Sequence, residues 1–186
     1  MKKIHQVNLD EKFLSSKVGF TGKLLQLQVD TVMLPNGRKA TREIIKHPGA
    51  VGILPVLEDG SMVFVKQYRY PVGTVLYEIP AGKLEIGENP DECAPRELSE
   101  ETGYTAKEWK NLTSIVTTPG FTDEVIHLYL ARGLTKAEQH TDEDEFIDVV
   151  VFSPEQVKKM VLEKDIFDAK TLSVLLLYYL SDEIVN

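Results

Sequence analysis

The stretch GKLEIGENPDECAPRELSEETGY, residues 82–104, decides how this chain is read. Gly82 and Gly87 permit tight backbone turns around Glu85 and Glu88, and a helical stretch follows from about Pro90 to Thr102. Gly103 closes it, since glycine suits the left-handed position just past a helix end. Glu97, Glu100 and Glu101 fall three and four residues apart, so on a helix they project from nearly one stripe. Like charges at that spacing cost an isolated helix about 0.2–0.5 kcal/mol per pair, and Arg96, four residues before Glu100, relieves one of them. Such a stripe is either a solvated acidic face or a set of oxygen ligands for a hard divalent cation. The turns at Ala81-Gly82 and Ile86-Gly87-Glu88 let carbonyl and carboxylate oxygens meet at one point, which favours the second. Pro95 departs from a regular helix, because an interior proline lacks the donor and clashes with the preceding turn, at about 3 kcal/mol. The spacing therefore predicts a helix that starts near Pro95, with residues 90–94 as a separate turn, or one kinked there.

Outward from this stretch the pattern is mixed α/β. Upstream, Val18 to Leu34 alternates apolar and polar residues, Asn36-Gly37 is a strong hairpin signal, and Ala40 to Lys46 returns. A second hairpin is predicted from Ala50–Leu57 and Met62–Tyr68 across Glu58-Asp59-Gly60, with a short strand at Leu76–Pro80. Downstream come strands at roughly 112–118, 124–131 and 147–152, with an acidic loop at 140–145. Ser153-Pro154-Glu155-Gln156 reads as a capping box with proline at the first helical position. Asp168 can cap a last helix whose buried stripe is expected to be Leu172, Leu175, Leu176 and Tyr179.

Composition bounds the alternatives. A chain of 186 residues with 42% apolar and 27% charged content suits one ordinary domain with a small appendage. A net charge of −8 argues against nucleic acid or an anionic membrane as partner, while a local site with a cation can still take a small phosphorylated ligand. Cys93 is the single cysteine, and no Cys/His grouping has zinc spacing. No apolar stretch follows Lys2-Lys3, and Val174 to Leu180 is far short of the roughly 20 residues that span a bilayer, so the expected address is cytoplasmic. The serine-elbow, phosphate-loop and HExxH motifs are absent.

Gly82, Glu88, Arg96, Glu97, Leu98, Glu100, Glu101, Gly103 and Tyr104 match the pattern G-x5-E-x7-R-E-U-x-E-E-x-G-U at all nine defined positions. The chain thereby resembles the Nudix hydrolases, and several further stretches are similar to the ADP-ribose pyrophosphatase branch. These are Pro119, 16 residues past Gly103, within Thr118-Pro119-Gly120-Phe121-Thr122-Asp123-Glu124; Arg42-Glu43-Ile44; Gln67-Tyr68-Arg69; and Asp142-Glu143-Asp144-Glu145. The resemblance implies a Nudix-type α/β/α sandwich with a mixed sheet, plus a small N-terminal antiparallel β unit. It implies hydrolysis of ADP-ribose to AMP and ribose 5-phosphate with Mg2+, for which Mn2+ or a similar ion substitutes. The Ala81 carbonyl, Glu97 and Glu101 are then the principal metal ligands, with Glu85 and Glu100 as additional ones. Arg96 orients a glutamate, Glu88 or Glu100, and with Glu100 belongs to the catalytic group. Glu143 or Glu145 is implied as general base. Arg69 and Arg42 are candidates for phosphate contacts, Glu43, Gly120 and Glu124 for substrate binding, and Phe20 for adenine stacking or for the core.

The resemblance further implies a homodimer built through residues 1–46, with Arg42 and Glu43 acting across it and residues 47–186 forming the catalytic domain. The small-molecule partner is a nucleotide sugar. Two alternatives accompany ADP-ribose hydrolysis: a pyrophosphatase for another nucleotide sugar such as GDP-mannose, and a catalytically silent ADP-ribose-binding module.

Overall fold

The computed structural model describes residues 8–23, 25–139 and 146–184. The chain divides into two compact units, one comprising residues up to His47 with Thr118–Glu124, the other Pro48–Thr117 with Val125 onward.

In the first unit, β1 (Lys12–Thr21), β2 (Gln26–Met33) and β3 (Lys39–Lys46) form an antiparallel sheet in that order. The apolar alternation from Val18 to Leu34 is thus not one strand: it is broken after Thr21, where the Gly22 N–H donates to the Leu25 carbonyl at 2.8 Å. The hairpin at Asn36-Gly37 forms as read, with Gly37 at φ 80° and the Leu34 N–H donating to the Arg38 carbonyl. All of β1 is exposed, including Phe13, Val18 and Phe20, so Phe20 is no core residue. The Thr118–Glu124 segment is tied to the end of β3 within this unit. The Ile45 N–H donates to the Phe121 carbonyl at 2.8 Å, and Asp123 accepts from the His47 N–H at 2.9 Å and from Lys46 Nζ at 2.7 Å.

The second unit opens with β4 (Ala50–Pro55), β5 (Met62–Arg69), β6 (Thr74–Glu78) and β7 (Ala81–Lys83). Then come α1 (Pro90–Thr102), β8 (Tyr104–Thr105), β9 (Glu108–Val116), β10 (Val125–Arg132), β11 (Thr135–Lys136), β12 (Ile147–Phe152), α2 (Pro154–Glu163) and α3 (Ala169–Ile184). The sheets run β7-β4-β10-β9 and β12-β5-β6, with a short β11-β8 pair. The predicted β4–β5 hairpin therefore does not exist as a ladder. Its turn forms, but beyond a Val56–Met62 bridge the two strands enter different sheets. The reason is burial: all six residues of β4 are buried, so it takes a central position, antiparallel to β7 and parallel to β10.

Strand alternation splits the core into two layers. Ala50 and Leu54 join Met62, Phe64, Val174, Leu175 and Tyr178, facing α3, while Val51 and Ile53 join Val63, Cys93, Ala94 and Leu98, facing α1. Helices on opposite sides of the strands make this an α/β/α sandwich with a mixed sheet, as the sequence reading expected. The fully buried stripe of α3 is Thr171, Val174, Leu175 and Tyr178; of the expected residues Leu175 is buried, Leu172 and Tyr179 pack partly buried against the same core, and Leu176 is 61% exposed. In a run as apolar as Val174–Leu180 composition leaves the helical phase open, and contact with the sheet sets it.

Helix α1 starts at Pro90, with Asn89 Oδ1 accepting from the Asp91 N–H at 3.0 Å, and ends at Gly103, φ 65°. It is helical through Pro95, so residues 90–94 form no separate turn. Tyr129 Oη donates to Asp91 Oδ1 at 2.6 Å and holds the first turn. The α2 capping box at Ser153 forms, and Asp168 Oδ2 accepts from the Thr171 N–H at 2.9 Å at the start of α3.

Candidate active site

The buried stripe of α1 runs Ala94, Glu97, Leu98, Glu101, an i, i+3, i+4, i+7 pattern that carries two carboxylates beside apolar residues. Glu97 is 9% exposed and Glu101 5%, whereas Glu100 lies toward solvent, so the three acids of the sequence stripe separate into an inner pair and an outer one. The inner pair faces β7. Pairing of β7 with β4 sets Gly82 opposite Val51 and Ala81 opposite Gly52. Glu101 Oε2 accepts the Ala81 N–H at 2.9 Å. The Glu97 carboxylate lies flush on Gly82, where a Cβ would sit 1.8 Å from Glu97 Cδ. Glycine is required there by close approach and not by backbone conformation.

Arg96 is the hub on the solvent side. Its Nε and Nη2 donate to Glu88 Oε1 and Oε2 at 2.9 and 2.8 Å, and its Nη1 to Glu97 Oε1 at 2.8 Å and Glu100 Oε2 at 3.0 Å. One guanidinium thus orders three carboxylates, a use that its five fixed donors permit and a lysine's would not. The hydrogen bond from Arg96, then that from the Glu85 N–H, pulls the Glu88 carboxyl down to about 2. Arg96 is raised in return, first by Glu88. The Cys93 thiol is pushed up to about 12 by burial and then by the Glu97 charge, so it is an inert packing residue. Glu85 enters the cluster through its N–H, donated to Glu88 Oε2 at 2.9 Å, and its side chain is exposed.

Arg69 belongs to a group that sequence reasoning missed. Its Nε and Nη2 donate to Glu78 Oε1 and Oε2 at 2.7 and 3.0 Å. Glu78 is 1% exposed and also contacts Lys170 Nζ, which lies 3.2 Å from Asp168 Oδ2. Burial alone would raise the Glu78 carboxyl, but the Arg69 hydrogen bond and the Lys170 charge hold it below the usual carboxylate range. The available sequence signal was strand alternation: Leu76 and Glu78 share the buried face of β6, marking Glu78 as a buried charge in need of partners.

The other predicted substrate residues sit in the first unit. Arg42 pairs with Glu11, Nε to Oε2 at 2.9 Å; Glu43 is an exposed β3 residue; Glu124 Oε1 lies 3.3 Å from His47 Nε2; and Gly120 is in open space. Glu143 and Glu145 lie outside the described residues.

The donor set fits a hard divalent cation. Among the described residues no three acidic, His or Cys side chains converge as a ready-made cage. Two buried carboxylates on one helix face, beside the backbone of Ala81 and Gly82, are instead a partial oxygen set that a hard divalent cation completes with other ligands. Buried carboxylates are costly unless charge compensates them, and a cradle shaped by the missing Cβ of Gly82 keeps the Glu97 oxygens against the main chain. Among the described residues no helix is long and apolar enough to cross a membrane.

Comparison with known proteins identifies the family. A family model described as NUDIX domain matches residues 46–174. The ADP-ribose pyrophosphatase of Bacillus subtilis (strain 168) is 47% identical over 166 residues, covering 88% of this chain and 90% of that protein. A methanol dehydrogenase activator of Bacillus methanolicus is 46% identical over 165 residues, covering 88% and 89%. In three dimensions the chain is similar to a crystal structure of an ADP compounds hydrolase, with a TM-score of 0.83 over 92% of this chain and 94% of that one, at 21% identity, a likeness of fold. Hydrolases of this family generally use divalent metal ions, for which the carboxylate oxygens of Glu97 and Glu101 are suitable donors. With the signature carried on β7 and α1, and close relatives matched across nearly their whole length, this chain belongs to the Nudix hydrolase family.

Proposed function

We propose that the protein hydrolyses the pyrophosphate of ADP-ribose to AMP and ribose 5-phosphate with Mg2+. The observation that carries the proposal is the Glu97 carboxylate seated on Gly82 beside Glu101, whose partner is the Ala81 N–H. The name of the relative from Bacillus subtilis supports the choice of substrate. The Ala81 carbonyl, Glu97 and Glu101 hold the ion, and Glu100 and Glu85 are additional ligands, directly or through water. When bound, such an ion neutralises charge on the pyrophosphate oxygens and makes a water acidic enough to be deprotonated near neutral pH. The protein's own task is then positioning and electrostatics. Arg96 keeps Glu97 and Glu100 aimed through its hydrogen bonds, with Glu88 as the fixed anchor of its guanidinium. Glu143 or Glu145 takes the proton of the attacking water. Arg69 and Arg42 bind the diphosphate, and Glu43, Gly120 and Glu124 bind the rest of the substrate.

Residues 1–46 serve in this reading as a dimerising β unit and residues 47–186 as the catalytic domain. Support comes from β1, whose exposed Phe13, Val18 and Phe20 offer an apolar surface for a second copy, and Arg42 and Glu43 act across that dimer. A monomer with full activity in sedimentation and assay would remove the dimer from the proposal.

The test is product analysis with Mg2+ and a panel of ADP-ribose, GDP-mannose, NADH and diadenosine polyphosphates, with Glu97→Gln, Glu101→Gln and EDTA alongside. AMP forming fastest from ADP-ribose, and lost in all three controls, is the expected result. Preference for GDP-mannose would overturn the substrate while keeping the chemistry. No turnover with ADP-ribose still bound would make the protein a silent binding module. The similarity to the methanol dehydrogenase activator adds one arm, stimulation of a methanol dehydrogenase by the purified protein.

A further inference from the structure

The segment Glu78–Gly82 carries the chain from β6, in one sheet, to β7, in the other, and only Ile79 and Pro80 lie between the two strands. Pro80 has no N–H and β7 is three residues long, so ladder pairing alone gives this crossing little support. Every residue of it is nevertheless held. The Glu78 carboxylate is gripped by Arg69 and Lys170, and the Ile79 N–H donates to Thr171 Oγ1 at 2.9 Å. The Pro80 carbonyl accepts from the Ile53 N–H at 2.9 Å, the Ala81 N–H donates to Glu101, and Gly82 backs Glu97. Two of these holds come from the first turn of α3, about 90 residues downstream of the segment. Thr171 is fully buried, and its hydroxyl, accepting from Ile79, donates to Asp168 Oδ2 at 2.6 Å, which also lies 3.2 Å from Lys170 Nζ. Each hydrogen-bonding group in this chain of contacts orients the next.

We propose that Lys170 and Thr171 are positioning residues for the active site, clamping Glu78 and Ile79 so that Ala81 and Gly82 meet Glu101 and Glu97 in register. The proposal rests on the reading of Ala81, Glu97 and Glu101 as the metal site. Neither residue touches the carboxylates of Glu97 and Glu101 or lies near the family signature in sequence. They act through two or three intervening groups, as partners that orient metal ligands from behind do.

The test is Mn2+ binding by the electron paramagnetic resonance signal of the free ion, with no substrate present, alongside kcat and KM for ADP-ribose. Outer partners of metal ligands are worth about 10–100-fold in metal affinity or activity. Thr171→Val, which keeps shape and removes the hydroxyl, is expected to weaken Mn2+ binding and lower kcat by that factor, with KM within about 2-fold. Lys170→Met is expected to lose about 10-fold, and Thr171→Ser and Lys170→Arg to recover most of the loss. Val157→Ala, a core truncation in α2, is expected to lower Tm without moving Mn2+ affinity, which separates positioning from stability. Mn2+ affinity and kcat within about 2-fold of wild type in both Thr171→Val and Lys170→Met would overturn the clamp. Should Thr171→Val not fold, Lys170→Met decides alone by the same criterion. Mn2+ binding indifferent to Glu101→Gln would overturn the metal site and the clamp with it; binding that needs Glu101 but ignores α3 overturns the clamp only.

Discussion

Replacing Gly82 by alanine separates the demands of the fold from those of the site. The added Cβ would lie 1.8 Å from Glu97 Cδ and 2.0 and 2.1 Å from its two oxygens. To move from 1.8 Å to the 3.4 Å of ordinary contact, the carboxylate must retreat by about 1.6 Å. For stability this is inexpensive. Gly82 is not among the glycines with positive φ, alanine in place of a freely rotating glycine favours folding by about 0.4–1 kcal/mol, and the displaced group is the tip of a flexible side chain. Against that stands the Arg96–Glu97 hydrogen bond of 2.8 Å, worth about 1.5–3 kcal/mol between charged groups. The net loss lies between about 0.5 and 2.6 kcal/mol, a fall in Tm of about 5–10 °C at most. For catalysis the same shift is severe, since a misplacement of 1 Å costs about 100-fold, or about 2.7 kcal/mol in the barrier. We therefore expect Gly82→Ala to be folded by circular dichroism, to hold Mn2+ weakly, and to release AMP from ADP-ribose about 100-fold more slowly or worse. A variant with turnover and Mn2+ affinity within about 3-fold of wild type would refute the assignment of Glu97 as a ligand seated on this glycine.

Further outcomes follow from the same contacts. Arg96→Lys keeps the charge but cannot reach Glu88, Glu97 and Glu100 together, so kcat should fall about 10–100-fold with a smaller change in KM. Glu78→Gln should destabilise the protein at pH 7 by about 2–3 kcal/mol, below the roughly 3–5 kcal/mol of a fully buried pair because Arg69, at 40% exposure, can relax into water. The Glu78 carboxyl is held below its ordinary value when folded, so its contribution is present above the unfolded value and fades as pH falls through the folded one. Urea melts should accordingly show the wild-type advantage over Glu78→Gln narrowing below about pH 4. Ser153→Ala removes the α2 capping box and should cost about 1 kcal/mol, or about 2–4 °C in Tm, while ADP-ribose turnover stays at wild-type level.

The signature, the end of α1 at Gly103, the Asn36-Gly37 hairpin and the Ser153 cap are local. Each depends on side chains and backbone groups within a few residues, so spacing and residue type suffice to read them. The family, and with it the α/β/α sandwich, was legible for the same reason, because the signature lies within one continuous stretch. Partnership between distant segments was not legible. Nothing near Ala50–Pro55 announces that this strand pairs in parallel with Val125–Arg132 instead of folding back on Met62–Arg69, and the choice follows from burial on both faces. Nothing local fixes the phase of α3, separates Glu97 and Glu101 from Glu100, or gives Glu78 its two cations. Those outcomes depend on which surfaces meet when the chain collapses, and a contact between residue 78 and residue 170 leaves no periodic trace in either neighbourhood. Local hydrogen-bonding rules thus made the signature readable, while long-range packing placed the carboxylates proposed to act in it.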